Sequence, residues 1–142
     1  MPRTIAKDVD LSKIWLFAAC SERDLRKVRQ SLDEISAEAG EVLCEEGTTG
    51  HEFFIIVKGT AAVRRKGRKV VTLGPGKWFG ELALLDRGPR SATIEAETDM
   101  ELLVLEQRHF LGLLDSMPSM ARKMLGALAS RLREADEKAF PG

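Results

Sequence analysis

Reactive side chains are scarce in this 142-residue chain. It has two histidines, His51 and His109, and two cysteines, Cys20 and Cys44. No HxH, HExxH, CxxC or GxSxG pattern occurs. Neither a metal centre nor a nucleophile–base pair is therefore expected, and no catalytic residue is assigned. His51 follows Gly50 ahead of a strand and His109 sits at a helix start; both are read as surface residues. The cysteines are expected to be reduced and mostly buried, without a disulfide framework. Long apolar runs are also missing. The longest, Ile14 to Cys20, has seven residues, far short of a bilayer span and poorly placed for a signal peptide. A cytoplasmic protein with no membrane partner is expected. There is no excess of either charge, with Lys+Arg at 22 and Asp+Glu at 22. That balance argues against nucleic-acid binding through this chain alone.

Apolar residues make up 44% and charged ones 31%, the proportions of a globular fold, and the length suits one domain over residues 1–142. Residues 11–34 read as helical. Leu11, Ile14, Trp15, Phe17 and Ala18 recur at spacings of three and four. Ser21 followed by Asp24 looks like a second helix start, and Leu25, Val28 and Leu32 give that helix its stripe. From about residue 35 to 106 the character changes. Short Val/Ile/Phe-rich runs alternate with glycines: 41–44, 52–57, 60–65, 68–73, 91–97 and 101–106. This is the signature of a sandwich or barrel. Lys66-Gly67 reads as a hairpin tip, and the basic run Arg64, Arg65, Lys66, Arg68, Lys69 as its solvated surface or a contact surface. Helical spacing resumes over about 107–139, with a break before Pro118, which suits a first helical turn. Helices outside and strands between make an α+β fold, not alternating α/β.

The Gly-rich stretch 73–80 fits neither common nucleotide motif. Its third glycine falls one position late for GxGxxG, and Gly76-Lys77 is followed by Trp78, not by Ser or Thr. The segment 79–93 is more informative: Phe-Gly-Glu-Leu-Ala-Leu-Leu, a short loop, then Arg90-Ser91-Ala92-Thr93. It reads as a turn, a carboxylate, a short helix and an arginine entering a strand. N–H groups near Leu82 and Ala83 suit an anion, and Arg90 suits phosphate oxygens. Glu81 suits a sugar hydroxyl. Equally, Glu81 and Arg90 can be expected simply to pair with one another.

This segment resembles the phosphate-binding cassette of the cyclic-nucleotide-binding domain family. Leu16-Phe17, Gly40 to Leu43, Glu46-Gly47, Phe53 to Gly59, Leu73 to Gly76 and Phe110 fit the same family. The resemblance implies an eight-stranded antiparallel β-roll, jelly-roll-like, with N-terminal helices, a short cassette helix and C-terminal helices. It implies that Glu81 holds the ribose 2′-hydroxyl and Arg90 the cyclic phosphate. Gly80, Leu82, Ala83 and Ser91 would add backbone or hydroxyl contacts. Val63, Val70 and Leu73 would line the base pocket, and a residue of the last helix (Arg131, Arg133, Ala135 or Asp136) would cap the purine. Ser91 leans the ligand toward cAMP, with cGMP open. No cofactor is implied beyond that ligand. The chain is expected to be a regulatory sensor, not an enzyme, that signals by moving its C-terminal helices to an effector or a missing output domain. The Met120, Met124, Leu128, Leu132 stripe is expected to pack on the β-roll or to pair two copies. Two further readings are kept: a β-roll interaction module without nucleotide, and the sensing half of a larger DNA-binding regulator.

Overall fold

The computed structural model of the chain describes residues 9–139. The ends of the expected domain, 1–8 and 140–142, lie outside the described residues. Two antiparallel sheets of four strands each form an α+β β-roll. The strands are β1 (Asp33–Ala37), β2 (Val42–Cys44), β3 (Glu52–Lys58), β4 (Ala61–Arg65), β5 (Arg68–Leu73), β6 (Trp78–Phe79), β7 (Thr93–Ala96) and β8 (Met100–Glu106). The first sheet runs β1-β8-β3-β6 and the second β2-β7-β4-β5. The helices are α1 (Glu22–Gln30), α2 (Leu82–Leu85), α3 (Gln107–Ser116) and α4 (Pro118–Ala139).

The near-continuous apolar runs of β3 and β8 follow from their position. Both strands are covered on both faces. Phe53, Ile55, Leu103 and Leu105 point into a cluster with the helices. Their neighbours Phe54, Ile56, Leu102 and Val104 point between the sheets. Each such fully buried side chain contributes about 1.5–3 kcal/mol. β7 has only one covered face, and its burial alternates, with Ile94 and Ala96 inside, as its sequence predicted. Lys66 and Gly67 both have positive φ, 53° and 79°, which closes the β4–β5 hairpin with the turn that matches strand twist.

Two expectations need correction at the N-terminal end. Residues 11–17 form two separate 3₁₀ turns, Leu11–Lys13 and Trp15–Phe17, with Ile14 extended between them. A spacing of three fits a 3₁₀ turn as well as an α-helix, and burying Leu11, Ile14, Leu16 and Phe17 together selects the broken form. The helical region also ends before residue 34: α1 stops at Gln30 and β1 begins at Asp33. The two-residue β6 gave no readable pattern. The α1 start is as expected, with Ser21 and Asp24 forming a complete capping box.

Asp24 also fastens α4. Lys123 Nζ lies 2.9 Å from its carboxylate, whose side chain is 5% exposed. Burial pushes the Asp24 carboxyl up. The hydrogen bonds from Lys123 and Ser21 and the lysine charge outweigh it, holding the group below the ordinary carboxylate value. A depressed folded-state value contributes stability that is fully present above the unfolded value and is lost as pH falls through the folded one. Asp24→Ala is therefore expected to cost about 1.5–3 kcal/mol at neutral pH, the size of a charged hydrogen bond. Its deficit in melting temperature should shrink as pH falls below the ordinary carboxylate value; a constant difference across the acid range would refute the assignment.

Candidate functional site

The segment 79–93 packs against the roll at both ends. Phe79 stacks on Phe54 with ring centroids 4.9 Å apart. Gly80 then turns the chain at φ +82°, a conformation that glycine adopts without steric cost. Ala83 and Leu84 of α2 point into the protein. At the other end the Arg90 N–H donates to the Thr48 carbonyl at 2.7 Å, and the Gly47 N–H donates to the Arg90 carbonyl at 2.9 Å. The arginine backbone is thus clamped to the 47–48 loop.

The Arg90 side chain lies between two glycines. A Cβ built on Gly50 would strike its guanidinium, and one built on Gly80 would come within 2.6 Å of Nη1. Glycine at both positions leaves a channel of the guanidinium's width. Among the described residues Arg90 makes no ion pair, so the Glu81–Arg90 pairing admitted by the sequence does not occur. Glu81 instead accepts a hydrogen bond from the Trp15 indole N–H at 3.4 Å.

Glu81 and Arg90 border one cavity of about 430 Å³, within the range of small-molecule sites. Gly80, Leu82, Ala83 and Ser91 line it too, as do Val63 and Leu73. The cassette supplies the charged pair, and the second sheet supplies apolar surface.

Five expected residues fall outside this cavity lining. Val70 is 57% exposed. Cross-strand pairing joins Val63 to Val71 and Arg64 to Lys69, leaving Val70 as the extra residue of a bulge. Of the helix residues expected to cap a base, Ala135 and Asp136 are exposed. Arg131 is engaged elsewhere, its guanidinium 4.8 Å from the Trp15 ring centroid. Arg133, the alternative, is likewise exposed. The Ala83 N–H, expected to be open to an anion, donates to the Gly80 carbonyl at 3.0 Å.

The cavity also contains residues that the sequence reading did not assign to it. Ile94 shares the buried face of β7, so its alternation was the available signal. Arg65, the last residue of β4, belongs in the sequence to the basic hairpin run. Cys44 lies in the wall, and burial pushes its thiol up to about 11 against the pull of the Arg90 charge. Burial likewise raises Cys20 to about 11. Both are free thiols and protonated at neutral pH. His51 and His109 are exposed.

Among the described residues, then, an arginine without an ion-pair partner and a carboxylate border one cavity of a β-roll. The family profile described as "Cyclic nucleotide-binding domain" matches residues 34–117, and the chain belongs to that family. It is 37% identical over 102 residues to the cyclic AMP receptor protein of Thermus thermophilus, covering 68% of this chain and 47% of that protein. It is 37% identical over 100 residues to the cAMP-dependent protein kinase regulatory subunit of Yarrowia lipolytica, covering 70% of this chain and 27% of the subunit. The N-terminal domain of a transcriptional regulator from Streptomyces coelicolor superposes with a TM-score of 0.83 at 32% identity, covering 92% of this chain and 94% of that one. The chain thus spans less than half the length of the two full-length relatives. Among the described residues no helix is long and apolar enough to cross a membrane.

Proposed function

We propose that this chain is a cAMP-binding regulatory module of the cytoplasm that senses its ligand without transforming it. The observation that carries this is the Arg90 guanidinium, held in a two-glycine channel on the cavity with no carboxylate partner among the described residues. A cyclic phosphate supplies the missing charge. Glu81 accepts from the ribose 2′-hydroxyl, Ser91 and Gly80 add polar contacts beside Leu82 and Ala83, and Val63, Leu73 and Ile94 take the purine. Binding shifts the population of α3 and α4 positions, and the signal passes to an effector protein or output domain. Leu125 and Leu132, 64% and 60% exposed, lie on one side of α4 and give it a surface through which two copies pair.

The reading as the sensing half of a larger transcription regulator is favoured by the match to the Streptomyces coelicolor domain along nearly its whole length. Both readings share the same first test: calorimetric titration with cAMP, cGMP and AMP. Saturable binding of cAMP with AMP excluded is expected. Preference for cGMP would reassign the base, and no binding by any of the three would leave an interaction module.

The glycine channel offers a cleaner test of the site. Gly50 has no positive φ, and the three atoms nearest to its Cβ would all belong to the Arg90 side chain. Gly50→Ala should therefore displace the guanidinium and weaken nucleotide binding by about tenfold or more, while the fold is retained. Gly80→Ala would also approach the Glu52 carbonyl at 2.8 Å and force φ +82° on alanine. It should lose stability as well, by about 1–2 kcal/mol from the backbone alone. Unchanged nucleotide affinity in Gly50→Ala would contradict the placement of Arg90.

A further inference from the structure

Trp15 touches both the cavity and the last helix. Its indole N–H donates to Glu81 on the cavity, and the guanidinium of Arg131, on α4, lies over its ring. The first half of α4 is anchored by buried Met120 and Met124 and by the Lys123–Asp24 pair. From Leu125 onward every described residue is half-buried or exposed. Among the described residues, Arg131 on Trp15 is the ring or ion-pair contact that holds this distal half to the rest of the protein.

We infer that Trp15 is a positioning residue for Glu81 and, through Arg131, couples occupancy of the cavity to docking of the distal half of α4. The inference rests on the proposed role of Glu81 as the sugar-binding carboxylate. An indole is a donor only, whereas a carboxylate accepts several hydrogen bonds on its two oxygens. Trp15 therefore occupies one site on Oε1 and leaves Oε2 for a ligand hydroxyl. Holding the carboxylate in one orientation before the ligand arrives removes an ordering cost from binding. Arg131 in turn holds the ring by a cation–π contact. Ligand on Glu81 and a docked distal α4 then favour the same Trp15 position. By linkage, each strengthens the other to the same degree.

The test is a double-mutant cycle on cAMP affinity, read by calorimetry on the whole chain. Trp15→Phe keeps the ring and removes the N–H donor; it should weaken binding about three- to tenfold. Arg131→Ala changes no cavity-lining residue, yet should weaken binding about two- to fivefold. In the Trp15→Phe background Arg131→Ala should add nothing, because the connection to Glu81 is already cut. Unchanged affinity in Arg131→Ala, or full additivity in the double variant, would overturn the coupling. A second arm needs no ligand. The two tryptophans give two indole N–H resonances, and Trp15→Phe identifies which is Trp15. That resonance should move in both Glu81→Gln and Arg131→Ala; if it stays in place in either, the link is refuted. If the wild type binds none of the three nucleotides, the sensing role fails, and the second arm still decides whether Trp15 joins Glu81 to α4.

Discussion

Arg90→Ala is expected to lower cyclic-nucleotide affinity by about 2–5 kcal/mol, since truncation leaves a desolvated ligand charge unmatched. At about 1.4 kcal/mol per factor of ten, that is a loss of roughly thirtyfold to several thousandfold. The fold should tolerate the change. The arginine's structural work is done by its backbone, through the bonds to Thr48 and Gly47, and alanine retains those. Its side chain makes no ion pair among the described residues, so none is lost. Arg90→Lys separates charge from shape: a lysine supplies one positive point without the planar fork, so it should recover only part of the affinity. Calorimetric titration of both variants, alongside circular dichroism melts, checks the pair. Wild-type affinity in Arg90→Ala would remove this residue from the site; a large drop in melting temperature would assign it a structural role instead.

Phe17→Ala should have the largest effect on stability, about 3–5 kcal/mol, the usual cost of deleting a buried aromatic ring. A domain of this kind has only about 5–15 kcal/mol in hand. Phe17 is fully buried. Its ring centroid lies 6.1 Å from that of Phe53 on β3 and 6.5 Å from that of Phe110 on α3. One side chain therefore ties the second 3₁₀ turn to the first sheet and to the C-terminal helices. The void left by alanine would open where those three elements meet, and none of them can collapse into it without dragging the other two. Urea unfolding followed by tryptophan fluorescence reads the change directly, because Trp15 sits two residues away. A loss below about 1 kcal/mol would mean the site relaxes freely, contrary to close packing of the three rings.

The two predictions test different kinds of legibility. Arg90 is singled out by the resemblance of its segment to a family cassette, since the residues alone leave a Glu81–Arg90 pair equally open. Phe17 was readable as an apolar residue at helical spacing, but its partners were not. A spacing of three or four is satisfied by more than one backbone, and here the contact with Phe53 and Phe110 accompanies a 3₁₀ turn. The strands of β3 and β8 were visible as apolar runs. That their alternate residues serve two different cores follows only from the layering of sheets and helices.

Resemblance to a family singled out the Phe79–Thr93 cassette with its glutamate and arginine; by itself, the sequence determined six of the eight strands, the helix start at Ser21 and the hairpin at Lys66-Gly67. Each of these depends on residues within a few positions of one another, where backbone preference and periodicity act. The tertiary structure decided what surrounds the cassette. It placed Gly50 against Arg90 and Trp15 against Glu81, a separation of 66 residues. It put Val70 on a bulge outside the cavity, and it drew Arg131 onto Trp15 instead of over a base. Those choices turn on strand register and on which surfaces meet when the core closes. Both are set by the packing of the whole chain, and no short stretch of it carries that information.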